Sequence, residues 1–123
     1  MKKNFWWIAA GTLITLLIGF LVVMGTGPSK YDEFAQCIEK SGTVFYGAFW
    51  CSHCQAQKAD FGRASKYLPY VECSTSDGKS QTQICIDKGV KNYPTWIFAD
   101  GTIQTGEVSL EELARKTACT LPL

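Results

Sequence analysis

The chain has a single histidine, His53, among its 123 residues, and no second C-x-x-C beside Cys51-Ser52-His53-Cys54. A zinc site needs two further ligands at suitable spacing, and Cys37, Cys73, Cys85 and Cys119 do not supply them in that pattern. No metal site is therefore expected. Charge of one sign is not in excess either. Setting aside Lys2 and Lys3 leaves ten basic and eleven acidic residues. That balance gives no reason to expect nucleic acid or an anionic surface as a partner. Internal repeats and low-complexity segments are absent.

Charge is missing altogether from one long stretch, Phe5 to Met24, FWWIAAGTLITLLIGFLVVM. A soluble buried helix would normally carry some polar face. At 1.5 Å rise per residue, a helix of this length spans about 30 Å, the thickness of a hydrocarbon core. Lys2 and Lys3 precede it, which places the short N-terminus in the cytoplasm, and Trp6 and Trp7 sit where interfacial aromatics belong. The rival is a cleaved signal peptide, whose apolar region is shorter, about 7–15 residues. Pro28, just after Gly25-Thr26-Gly27, is also poorly placed for cleavage. The reading is an uncleaved single-pass anchor over residues 1–24, a linker over 25–30, and one exported domain over 31–123. In a bacterial cell that means the inner membrane, with the domain in the periplasm. Six cysteines in so small a domain suit such an oxidising compartment.

Within that domain the apolar spacing of Tyr31, Phe34, Ala35 and Ile38 predicts a helix, stopped near Gly42. Thr43 to Phe49 reads as a buried strand and Ser52 to Tyr67 as a helix ended by Pro69. Tyr70 to Cys73 is a short strand, and Gln81 to Lys88 a helix stopped by Gly89. Thr95 to Asp100 is a strand that turns back through a two-residue Asp100-Gly101 hairpin. Ser109 and Glu112 have capping-box spacing for a last helix through about Thr117. The order α-β-α-β-α-β-β-α predicts an α/β domain. It has a mixed four-stranded sheet, helices on both faces, parallel neighbours across the crossovers and an antiparallel hairpin edge. Tyr46, Phe49, Phe61, Trp96 and Phe98 are its expected core.

FWCSHC falls where the first strand passes into its helix. Free N–H groups and a partial positive charge there favour a thiolate on Cys51, the species that attacks disulfides. Cys54, one turn further in, would be more buried and within reach to close a reducible ring. The alternative is an inert structural crosslink. Cys73 and Cys85 close a short loop whose bridge would stabilise by roughly 3 kcal/mol in the chain-entropy model. A structural Cys73–Cys85 disulfide is expected, with an electron relay as the alternative. Cys37 and Cys119 stay undecided. If the first and last helices lie on opposite faces, a direct bond is disfavoured and both are buried thiols.

FWCSHC after a buried strand, with YPTW (Tyr93 to Trp96) before a hairpin, resembles the thioredoxin superfamily over nearly all of residues 31–119. The stretches FYGAFWCSHCQAQKADF, YLPYVECS, QTQICIDKGVKNYPTWIFADGT and SLEELA are similar to a narrower group. That group is the thioredoxin-like domains that partner vitamin K epoxide reductase-like (VKOR-like) membrane enzymes. The resemblance implies a thiol–disulfide oxidoreductase with an exposed nucleophile, Cys51, its partner Cys54, and no cofactor beyond that dithiol. Pro94 would be the cis-proline packed against the pair. The Tyr93 backbone would be free to pair with an extended substrate, with Trp50 and Thr95 beside it. The resemblance also supports the Cys73–Cys85 bridge. The partners it implies are cysteine-containing exported proteins and a VKOR-like quinone reductase in a separate chain.

Two departures bear on direction. Phe45 stands where thioredoxin has a buried aspartate, and Ser52-His53 replaces the Gly-Pro of cytosolic-type reductases. A histidine in the second slot is shared with periplasmic oxidants of the superfamily, where it stabilises the nucleophile's thiolate. The reading is an oxidant. The alternatives are a reductase or isomerase fed electrons across the membrane, and a non-enzymatic module whose cysteines are all structural.

Overall fold

The computed structural model describes residues 2–123; Met1 and the side chains of residues 2–5 and 24–26, Lys2 and Lys3 among them, lie outside the description. Helix α1 runs Lys2–Thr26. Its segment Trp6–Val23 has a mean hydropathy of 2.2 and none of it is buried against the rest of the chain. By length and composition this helix could cross a membrane. The two hydroxyls of the Trp6–Val23 segment are internally satisfied: Thr12 donates to the Ile8 and Ala9 carbonyls, and Thr15 to those of Gly11 and Thr12. Hydrocarbon requires that pairing.

The remaining elements are α2 (Asp32–Lys40), β1 (Val44–Gly47), α3 (Ser52–Phe61), β2 (Tyr70–Glu72), α4 (Gln83–Asp87), β3 (Thr95–Ile97), β4 (Ile103–Thr105) and α5 (Leu110–Thr117). This is the α/β architecture expected from the pattern, with a four-stranded mixed sheet in the order β2-β1-β3-β4. Alternation along β1 divides the core. Phe45 joins Phe34, Ile38, Phe61, Trp96 and Leu113, from α2, α3, β3 and α5. Tyr46 joins Cys73, Cys85 and Val90 on the α4 side. Phe45 stacks on Trp96 with centroids 4.6 Å apart. Gln57 is fully buried and joins α3 to β3 and to the loop before α5. Its Oε1 accepts from the Trp96 indole and the Val108 N–H, and its Nε2 donates to the Val108 carbonyl.

Several local expectations are corrected. The helix from Ser52 breaks at Gly62 (φ 54°) and continues as a 3-10 turn to Tyr67. β1 and β2 are parallel, but β3 is antiparallel to β1. The chain leaving β2 re-enters the sheet at the end it left, so the passage through α4 is not a parallel crossover. The β3–β4 loop holds three residues, 99–101, because Phe98 N–H donates to the Thr102 carbonyl and Gly101 takes φ 80°. That geometry is a hairpin with a glycine bulge rather than a two-residue turn. The predicted cap of α5 is present, with Ser109 Oγ accepting from Glu112 N–H at 3.2 Å.

The largest correction concerns Cys37 and Cys119, which form a disulfide. Helices α2 and α5 pack together on one face of the sheet. The handedness rule governs strand–helix–strand crossovers. Helix α2 precedes β1 and is not part of one, so the rule does not send it to the opposite face. Cys73 and Cys85 are also bonded, as expected.

Candidate active site

β1 ends at Gly47, and four residues later Cys51 takes the N-cap position of α3 (φ −79°, ψ 114°). Its sulfur accepts a hydrogen bond from Cys54 N–H at 3.2 Å. A side-chain acceptor at this position pairs one of the orphan N–H groups of the helix start. Cys51 and Cys54 are free thiols, whereas the other four cysteines are paired. Cys51 is less open than the exposed nucleophile anticipated: 7 % of its surface is accessible, against 1 % for Cys54. Its opening is a groove of about 400 Å³ lined by Trp50, Cys51, Ser52, His53, Lys91, Asn92 and Tyr93.

The Cys54 thiol is pushed up to about 12, first by burial and then by the hydrogen bond with Cys51; a backbone hydrogen bond with Ala48 and the charge of Lys58 pull the other way. The close packing beneath it depends on Gly47. A Cβ there would lie 2.8 Å from Tyr70 Cε2 and 3.0 Å from Cys54 Sγ. Gly47→Ala is expected to cost about 1–3 kcal/mol, the usual penalty of overpacking. Chemical denaturation of the reduced protein measures it, and an unchanged midpoint would refute the close fit.

The peptide bond Tyr93–Pro94 is cis, and Pro94 is buried. Tyr93 meets the Trp50 ring edge to face at 5.9 Å. Gln81 Nε2 donates to the Tyr93 hydroxyl and to the Val90 carbonyl. Trp50 is 56 % exposed, and its indole N–H donates to Ser74 Oγ at 2.9 Å. Thr95 is not brought to the groove. It is buried in β3, with its hydroxyl donating to the Asn92 carbonyl. Phe49, expected in the core, is 49 % exposed. It follows the strand, in the loop between Gly47 and Cys51.

His53 is also placed differently. Its Nδ1 pairs with Glu107 Oε1 at 2.6 Å, and both side chains are substantially exposed. Among the described residues no hydrogen bond joins it to Cys51. Glu107 lies in the loop before α5, 54 residues away, and no local pattern points to it. Glu72, likewise unpredicted, secures the loop from the other side. Its Oε1 accepts from the Phe49 and Ser74 N–H groups, and its Oε2 from the Tyr70 hydroxyl. The only legible sign was a lone acid inside the short strand expected over Tyr70 to Cys73.

A cysteine pair at a helix start, sharing an open groove with the tyrosine of a cis Tyr93–Pro94 bond on a four-stranded mixed sheet, defines a thioredoxin-fold dithiol protein. The thioredoxin family model matches residues 23–118, and the chain belongs to that family. It is 45% identical over 107 residues to the thiol-disulfide oxidoreductase LTO1 of Arabidopsis thaliana. The match takes in 83% of this chain and 28% of that protein, so the chain spans less than a third of this relative's length.

Proposed function

We propose that the protein is a membrane-anchored thiol–disulfide oxidoreductase that passes disulfides to exported proteins. The observation that carries this reading is Cys51 at the N-cap of α3, its sulfur on the Cys54 N–H and open to the groove, with Cys54 buried behind it. A substrate thiolate attacks Cys51 Sγ of the oxidised pair, the Cys51–Cys54 bond breaks, and Cys54 leaves with the electron pair. A second substrate thiolate then attacks the substrate sulfur of the mixed disulfide and releases Cys51. Two electrons pass from substrate to protein. Pro94 and the Tyr93 backbone would align an extended substrate in the groove, with Trp50 as its apolar wall.

The oxidising direction rests on apolar Phe45 beneath the pair and on Ser52-His53 standing in place of Gly-Pro; the His53 ring itself pairs with Glu107 and not with Cys51. In this reading α1 holds the domain at the outer face of the inner membrane, where a VKOR-like quinone reductase, a separate chain, reoxidises the pair. The resemblance of the quoted motifs supports that partner. Equilibration of the Cys51–Cys54 pair against glutathione tests the direction. A reduction potential of about −180 mV or higher is expected, the range of protein oxidants and isomerases; about −270 mV, the range of thioredoxin, would instead assign a reductase.

A further inference from the structure

Phe45 leaves no ionisable side chain at the place where thioredoxin has its buried aspartate. Cys54 must nevertheless carry negative charge during exchange, as the leaving sulfur in one direction and the attacking sulfur in the other. Two side chains, Lys58 from the same helix and Tyr70 from β2, converge on it, and Glu72 holds Tyr70 in place. Lys58 lies one turn after Cys54 on α3, and its Nζ sits 3.3 Å from the centroid of the Tyr70 ring. A cation this close to a ring face is held there by the ring quadrupole. The edge of that ring and the Cys54 sulfur crowd the same point above Gly47. The Tyr70 hydroxyl donates to Glu72 Oε2 at 2.8 Å, and the other Glu72 oxygen is tied to two backbone N–H groups, which fixes the ring.

We infer that Lys58, seated on the Tyr70 ring, is the cation that stabilises the Cys54 thiolate during disulfide exchange, with Tyr70 and Glu72 as its positioning residues. This rests on the oxidoreductase reading of the Cys51–Cys54 pair. The titratable groups facing Cys54 are Cys51 and Lys58 at α3, Tyr70 from β2, and Tyr93 before β3, with Glu72 acting on the two tyrosines. Lys58 is the one cation among them, and its charge opposes the effect of burial on Cys54. The Tyr70 hydroxyl is held protonated by burial and by Glu72, so it adds no charge of its own. When Cys54 attacks Cys51 of a mixed disulfide, a Cys54–Cys51 bond forms, the bond from Cys51 to the substrate sulfur breaks, and the substrate leaves as thiolate. In the reverse step Cys54 is the leaving thiolate. By microscopic reversibility one cation serves both.

The test uses the reduced full-length chain in detergent with an aromatic disulfide that releases a coloured thiolate. Attack by Cys51 releases the first equivalent and resolution by Cys54 the second. Lys58→Met is expected to leave the first phase unchanged and slow the second about tenfold, the effect of one pKa unit on the thiolate fraction. Lys58→Arg should restore it. Tyr70→Phe, which keeps the ring but frees it from Glu72, should slow the second phase only in part, and Tyr70→Leu should lose it. In a Cys51→Ala background, Lys58→Met should also slow alkylation of Cys54 across the alkaline pH range. Equal slowing of both phases, or an unchanged second phase, would overturn the assignment. If the unmodified chain releases no coloured thiolate at all, the oxidoreductase reading falls first and this one with it.

Discussion

Replacing Cys51 with alanine is expected to abolish disulfide exchange, with a loss on the order of 10³-fold or more, the scale of removing a nucleophile. Cys54→Ala is expected to behave differently. It keeps the sulfur that opens to the groove and removes the one that resolves the mixed disulfide. When the Cys51 thiolate of this variant attacks a disulfide of an exported protein and releases one substrate thiolate, a covalent adduct should therefore accumulate, visible on a non-reducing gel and dispersed by reductant. The asymmetry follows from the geometry. Cys51 borders the groove and accepts the Cys54 N–H, while Cys54 is 1 % exposed. Were the pair only a structural crosslink, the two variants would leave turnover of a dithiol substrate untouched. A trapped adduct in Cys51→Ala and none in Cys54→Ala would reverse the assigned roles.

The second large effect concerns stability. Removing the Cys37–Cys119 bridge by a double change to serine is expected to cost about 4–5 kcal/mol. The bond closes a separation of 82 residues, and the loop-closure cost grows with the logarithm of that length. Removing Cys73–Cys85, with a separation of 12, should cost about 3 kcal/mol. Urea denaturation of the detergent-solubilised chain ranks the two, and the reverse order would show that packing of α2 on α5 already does the work assigned to the first bond. The smaller loop has a local consequence as well. Cys73 N–H donates to the Gly47 carbonyl, and the next residue, Ser74, holds the Trp50 indole. Opening that bond should loosen one wall of the groove.

Surface electrostatics contribute less. The His53–Glu107 pair is exposed on both sides, and such pairs contribute little to stability. Its interest is positional. It ties one of the two residues between the cysteines to the loop before α5, and so joins the first turn of α3 to the far end of the domain. The cluster of Lys58, Tyr70 and Glu72 is better sheltered, which is why the larger kinetic effect is assigned to it.

Much of the fold was legible from local patterns. The apolar stripe of α2, the β-branched and aromatic run of β1 and the Ser109 cap each rest on neighbours within a few residues, and each appeared close to its expected place. The uncharged run of α1 and the N-cap position of Cys51 were readable for the same reason. The bends of individual elements were less so. Gly62 and Gly101 were visible as glycines, but a break in a helix and a bulge in a hairpin are choices among conformations that glycine allows equally.

What the amino-acid order determined by itself was the set of elements and the chemistry placed at their junction: two thiols one helical turn apart at the start of a helix. What only the tertiary structure decided was which distant groups meet. The bond between Cys37 and Cys119, the capture of His53 by Glu107, the antiparallel placement of β3, and the seating of Lys58 on Tyr70 all join residues from different elements. Local periodicity carries no information about such pairs. They are set by the path of the chain between elements, and α2, lying outside any strand–helix–strand crossover, was free to take the face where α5 also packs.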